Sequence, residues 1–305
     1  MEIIYKGVDI TDSVQVAGLK ICDESAGRCD SAEITLENIY AWMRWAPETG
    51  DEIEIREGGF STGVLFADTM QPDRGQYRLL LTGLTRDART KKSAMYKNMT
   101  FAEIARECAA ECRLEAAFFG METAVKYDCI TRKDETAPAF MERLAGMEGG
   151  ILKIFGGRMV FIDVLYAMER RAHQTMELSA WQGMYTLKMR PCEKAQKMHI
   201  ISPYADVWAY DTDAAGGTIT RTDLPAQDSA TAGRWARGLL LIHNMDAEMI
   251  DIETELNTGM TAMTRIDISS GERQLDGKWL IKRCEHDLIR RTTRTCLIRT
   301  VSSIK

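Results

Sequence analysis

The sequence predicts an α+β fold, mainly β: two small β-barrels flanking a central α/β region of two helices and a hairpin. Three observations predict it. Short apolar or alternating runs, separated by Gly, Asp, Pro and Asn, fill residues 1–95. Two capped amphipathic helices run straight into a Gly-Gly turn between residues 96 and 166. Alternating strands then return over residues 167–305 with one helix among them, near 229–244. The 305 residues suffice for domains with their own cores, so these three spans read as three domains.

In the first region Ile3 with Tyr5, Ala32 with Ile34 and Leu36, Ile53 with Ile55, Val64 to Phe66, and Tyr77 to Leu81 are the strand candidates. Tyr40-Ala41-Trp42-Met43-Arg44-Trp45 falls between two of them. Its aromatics and Arg44 are residue types enriched at protein interfaces, and the same rings could instead close one end of the barrel.

The central region opens with Thr100-Phe101-Ala102-Glu103, a capping box in which hydroxyl and carboxylate each satisfy an orphan backbone N–H. Phe101, Ile104, Cys108 and Cys112 make one apolar face, opposite Glu103, Arg106, Glu107 and Glu111, and the helix is expected to end near Arg113. A second helix starts around Asp134 to Thr136 and tolerates Pro138 in its first turn, where N–H groups have no partners to lose. It aligns Phe140, Leu144 and Met147, and Gly149-Gly150 stops it. Ile151 to Phe155 and Arg158 to Ile162 then flank Gly156-Gly157, which can both take the positive φ of a tight hairpin turn.

In the last region His199 to Ile201, Val207 to Tyr210 and Thr218 to Thr220 read as strands. Asp228-Ser229 caps a helix that buries Ala232, Trp235, Ala236 and Leu239 and exits at His243-Asn244. Ile250 to Leu256 alternates as a half-buried strand, and Asp276-Gly277 turns the chain into the last two.

The order and spacing of these motifs resemble a known family. Thr100-Phe101-x-x-Ile104-Ala105, Asp134-Glu135 before Phe140-Met141-x-x-Leu144-Ala145, Gly149-Gly150-Ile151-Leu152 and the Gly156-Gly157 turn are similar to the central region of phage late control protein D and related baseplate hub proteins. Met141 stands where Leu is usual there. Gly50-Asp51-Glu52-Ile53-Glu54-Ile55 and Val64-Leu65-Phe66 resemble early strands of the family, although Ala67 replaces a common glycine. Leu275-Asp276-Gly277-Lys278-Trp279-Leu280-Ile281-x-x-Cys284-x-His286 resembles its closing strand. The resemblance implies a hub-like fold of two similar barrels per chain. It also implies a homotrimer that joins a hexameric tail tube to a trimeric central spike beside other baseplate proteins. Such a protein is made in the bacterial cytoplasm and assembled into the baseplate of a virion tail or a tail-like particle. The chain ends soon after the second barrel, so spike and lysozyme functions are expected on separate partners.

Composition narrows other classes. The net charge is −6 and charges are mixed, which gives no reason to expect disorder or general nucleic-acid binding. Between Lys278 and Lys305 there are eight basic and two acidic residues. Arg290, Arg291, Arg294 and Arg299 could make a phosphate stripe, but their alternation with Leu288, Ile289, Cys296, Leu297 and Ile298 favours a solvated or partner-facing strand edge. Arg290, Arg291 and Arg294 therefore join Tyr40, Trp42, Arg44 and Trp45 as interface candidates. Met1 to Thr11 already contains Glu2, Lys6 and Asp9, unlike a signal peptide, and no window approaches the roughly 18 apolar residues of a membrane span. The eight cysteines form no Cys-x-x-Cys pair, a usage that suits a reducing compartment.

No residues nominate a catalyst, cofactor or metal. Gly59-Phe60-Ser61-Thr62-Gly63 fits the nucleophile elbow of hydrolases, but that elbow needs a following helix, and Val64-Leu65-Phe66 reads as strand. His173, His199, His243 and His286 sit in no ligand spacing. Cys108 and Cys112 share a helix face without a nearby second pair, so core packing is the better reading. Glu103, Glu107 and Glu111 form a stripe, yet nothing sets one carboxylate apart as acid from another as base. A structural, non-enzymatic hub is expected. A cell-wall hydrolase and a nucleic-acid-binding module are the alternatives.

Overall fold

The computed structural model describes residues 1–25, 29–177, 185–299 and 304–305. The first region comprises β1 (Glu2–Tyr5), β2 (Val8–Asp9), β3 (Val16–Glu24), β4 (Ser31–Leu36), α1 (Ile39–Trp45), β5 (Glu52–Glu57), β6 (Phe60–Asp73) and β7 (Gln76–Thr82). Alternation decides which face turns inward: Ala32, Ile34 and Leu36, Ile53 and Ile55, and Tyr77, Leu79 and Leu81 are all buried in one core. The strands pair antiparallel in the order β3-β4-β7-β6-β5-β1-β2.

The central region holds β8 (Lys92–Thr100), α2 (Phe101–Glu111), β9 (Glu115–Phe119), β10 (Lys126–Glu135), α3 (Ala137–Met147), β11 (Gly150–Phe155), β12 (Arg158–Asp163) and α4 (Val164–Glu169). The capping box forms as expected: Glu103 N donates to Thr100 Oγ1 at 3.2 Å, and Thr100 N donates to Glu103 Oε2 at 2.8 Å. Thr136 caps α3 ahead of Pro138, and Gly149, at φ +77°, ends its run. Gly156 and Gly157 take φ +54° and +74° and close β11 onto β12. β9, which the sequence pattern does not disclose, adds parallel to β12, and β8 pairs with β10.

The last region contains β13 (Gln174–Glu177), β14 (Tyr185–Met189), β15 (Lys197–Ser202), β16 (Ala205–Tyr210), β17 (Thr218–Arg221), α5 (Ser229–Asn244), β18 (Glu248–Glu255), β19 (Arg265–Ser269), β20 (Gly277–Asp287) and β21 (Thr292–Arg299). β15 lies between antiparallel β16 and parallel β17. Asp228 caps α5, whose Ala232, Trp235, Ala236 and Leu240 share one core with α2, α3, β15 and β16. Contact with α3 is close, because a Cβ on Gly238 would stand 2.3 Å from the Met147 carbonyl oxygen.

Two barrels are expected from the sequence, and among the described residues neither closes. One sheet of 13 strands instead runs from β14 through β18, β21 and β20 to β3 and on to β2. The cause is the length of β20. Its residues Gly277 to Leu280 pair with β19, while Arg283 to Asp287, on the same edge, pair with β3. The register on its β21 side shifts between Ile281 and Arg283, where the strand passes from one neighbour to the other. β3 therefore has both edges occupied, by β4 and β20, and cannot return to β1 to close a barrel.

Candidate partner interface

The aromatic segment at residues 40–45 folds as a short helix. Asn38 starts it at φ +62° and its side chain accepts from Ala41 N, and Ala46 ends it in the left-handed region. The helix divides the candidates. Trp42 is 3% exposed and stacks on Trp45 and Tyr77, with centroids 4.9 and 6.1 Å away. Tyr40 is 77% and Trp45 45% exposed, with Met43 and Arg44 also on the surface. Trp45 lies on Tyr5 of β1, at 4.8 Å, so the exposed rings adjoin the strands that end the long sheet.

The strand edge expected for the basic candidates is not one: Arg290 and Arg291 lie in the β20–β21 turn, and Arg294 lies in β21, which pairs with β18 on one side and β20 on the other. Each of the three faces a carboxylate. Arg290 is 3.8 Å from Asp287, Arg294 pairs with Glu253 at 2.8 Å, and Arg291 pairs with Glu57 of β5, which also holds the N-terminal amine at 2.7 Å. Their guanidinium charge is matched locally, so these strands do not offer the open phosphate stripe that the sequence raised as a possibility.

Ser61, Glu103, Glu111, His199 and His286 each have structural partners. Ser61 follows the Gly58-Gly59 turn in β6, donates to Glu54 Oε1 at 2.6 Å and accepts from Gly63 N, with strand on its C-terminal side as expected. Burial pushes the Cys108 and Cys112 thiols up to about 11 and about 12. Glu103 caps α2, while Glu111 grips Arg132, itself 1% exposed, and the Arg132 guanidinium holds its carboxyl below the usual value. His286 is buried, bonded to the Thr293 hydroxyl at 3.0 Å and the Met260 carbonyl at 3.2 Å. Asp206 lies 2.6 Å from His199, whose ring stacks on Trp208. Among the described residues no three His, Cys, Asp or Glu side chains gather as a metal site, and no helix is long and apolar enough to cross a membrane.

Three buried polar networks join residues far apart in the sequence. Lys153 of β11 reaches Asp23 of β3 at 2.5 Å, and the other Asp23 oxygen accepts from Ala262 N, so one carboxylate joins all three regions. Glu148 accepts from Tyr127 OH, Trp235 Nε1 and Arg234 Nε at 3.0, 2.7 and 3.1 Å. Asn244 exchanges hydrogen bonds with the Ala195 backbone and donates to Asp211 at 2.7 Å. No local signal marks these residues, since their partners lie from 21 to 239 positions away.

The branched sheet with its packed central α/β unit is similar in fold to solved tail proteins. A tail protein from Neisseria meningitidis MC58 superposes with a TM-score of 0.75 at 13% identity, over 98% of this chain and 95% of that one. The 43 kDa tail protein of prophage MuSo2 from Shewanella oneidensis gives 0.72 at 12% identity, over 100% and 99%. The E. coli c3393 protein, a type VI secretion component with structural similarity to the T4 tail proteins gp27 and gp5, gives 0.60 at 13% identity, over 95% and 75%. No protein-family model and no curated protein matches the sequence. At the level of the fold, these likenesses agree with the resemblance to baseplate hub proteins read from motif order and spacing.

Proposed function

We propose that this chain is the baseplate hub of a contractile tail or tail-like particle: a homotrimer that joins the hexameric tail tube to the trimeric spike and contacts other baseplate proteins. The carrying observation is the continuous sheet, in which the N-terminal and C-terminal strands form one surface across the β3–β20 seam. Among the described residues its path ends in β2 and β14, each hydrogen-bonded to one neighbour, so copies can meet head to tail along these edges and close a ring. Tyr40, Trp45 and Arg44 adjoin one of these ends, with Trp42 packed beneath them, and the second proposed contact is the face formed by Arg290 and Arg291 of the β20–β21 turn with Arg294 of β21. The three spans 1–95, 96–166 and 167–305 are the proposed domains, synthesis in the bacterial cytoplasm followed by assembly into the particle is the proposed route, and the role is structural rather than enzymatic.

Light scattering over a concentration series, with reducing agent present, tests this reading. A trimer, or a monomer that assembles when tube and spike proteins are added, is expected. A monomer that stays so with both partners present counts against it. The hydrolase alternative predicts peptidoglycan release by the purified chain, and none is expected.

A further inference from the structure

A groove of about 400 Å³ opens between α4, the ends of β9 and β12, and the segment leading into β19. Its floor is small and apolar, with Ala167, Ala262 and Met263 all buried. Two half-exposed rings line it, Phe119 and Tyr166. Arg170, Arg171 and His173 line it with exposed side chains. This combination of aromatic anchors, arginine and a buried apolar floor is the composition of energetic hot spots at protein interfaces.

The charge of the groove is one-sided. Arg265, which also lines it, gives Nε and Nη2 to Asp267 at 2.7 and 2.6 Å and Nη1 to the carbonyls of Met168 and Arg170, so its charge is satisfied from within. Arg170 instead donates to the neutral Tyr166 hydroxyl at 3.2 Å and lies 5.6 Å from that ring's centre, which orients the guanidinium without neutralising it. No acidic side chain lines the groove among the described residues; Glu169 lies exposed on α4 outside it.

We infer that this groove docks a short acidic segment of a second protein, which places one apolar side chain between Phe119 and Tyr166 and its carboxylates on Arg170 and Arg171. The planar guanidinium forks match carboxylates two bonds at a time. The apolar floor favours a peptide over a nucleic-acid strand, which would need a longer basic track along its backbone. The inference goes beyond the hub reading and does not depend on the particle in which the chain works.

Fluorescence anisotropy on the full chain tests it, with the labelled, acetylated peptide Asp-Glu-Leu-Glu-Asp and the same peptide with Gly in place of Leu. The Leu peptide is expected to bind saturably and about tenfold more tightly than the Gly peptide. Arg171→Glu, at an exposed position, is expected to lower affinity about tenfold or more with an unchanged melting temperature. Phe119→Ser is expected to erase the difference between the two peptides. Equal binding of both peptides, binding indifferent to Arg171→Glu, tighter binding of a thymidine decanucleotide, or no saturable peptide binding up to about 1 mM would each overturn the assignment. None of these outcomes bears on the oligomeric state, so the hub reading stands or falls separately.

Discussion

Gly63 and Gly156 meet backbone to backbone: a Cβ on Gly63 would stand 2.9 Å from the Gly156 Cα. The tip of the β11–β12 hairpin therefore seats directly on β6. Gly63 has φ +64°, and the β5–β6 register shifts between Glu54 and Arg56 opposite this stretch. Two motifs that stand far apart in the sequence, Gly59-x-Ser61-x-Gly63 and Gly156-Gly157, are thus two sides of one contact between the first β region and the central unit. The glycine at 63 serves packing and backbone geometry.

Gly63→Ala should destabilise the chain by about 2–4 kcal/mol, because it adds left-handed strain to a clash with backbone that cannot rotate away. Gly156→Ala, at φ +54° but facing open space, should cost only about 1–2 kcal/mol. Urea unfolding of both variants checks this. Equal losses would mean the close approach carries no energy of its own.

Lys153→Met should cost about 3–5 kcal/mol, since it leaves Asp23, 2% exposed, as an unpaired buried carboxylate. Adding Asp23→Asn should recover part of that loss, a coupling that a double-mutant cycle in urea at pH 7 would read. Strictly additive losses would show that the two side chains do not act as a pair.

Two buried groups should tilt stability with pH in opposite directions. Burial, and then the Asp23 charge, hold the Asp30 carboxyl well above the usual range against the pull of Lys153. Its folded form keeps a proton that the unfolded form releases above about pH 3.9, so the stability it contributes is lost as pH rises through the raised folded value. Burial holds His286 below the usual histidine value, against the opposing influence of Asp23. The unfolded chain therefore takes up this proton first as pH falls below about 6.5, and stability is lost from there toward the folded value. Asp30→Asn should gain about 1–2 kcal/mol over the parent at pH 8 and little at pH 4. His286→Gln should flatten the decline between pH 7 and pH 5 even though it is less stable overall. Melting curves across this range decide both, and a pH-independent gap between Asp30→Asn and its parent would refute the first.

The α1 aromatics should separate by function. Trp42→Ala should cost about 3–5 kcal/mol, as expected for a large buried ring, whereas Tyr40→Ala should stay within about 0.5 kcal/mol. If the exposed face is a partner contact, Tyr40→Ala with Trp45→Ala should weaken assembly at least about tenfold in sedimentation with tube and spike proteins. Unchanged assembly would remove this face from the interface.

The local elements were legible in the sequence because their signals are local. A Thr and a Glu three positions apart cap α2, two glycines turn β11 into β12, and every-other-residue burial names the inward faces of β4, β5 and β7. The aromatic segment 40–45 was visible as well. Which of its rings is buried was not, because that depends on where Tyr5 and Tyr77 come to lie against it.

What the sequence determined by itself is the kind and order of the elements with strong local patterns, though not β3, α1, β8 to β10 or β19, and, through their spacing, the likeness to tail hub proteins. The tertiary structure alone decided that β20 is shared between β19 and β3, that the expected barrels give way to one branched sheet, and that Lys153 finds Asp23 across 130 positions. The reason is physical. Every strand edge offers the same backbone N–H and C=O groups, so a sequence announces a strand without announcing its neighbour, and a buried charge is matched only once the whole chain has closed around it.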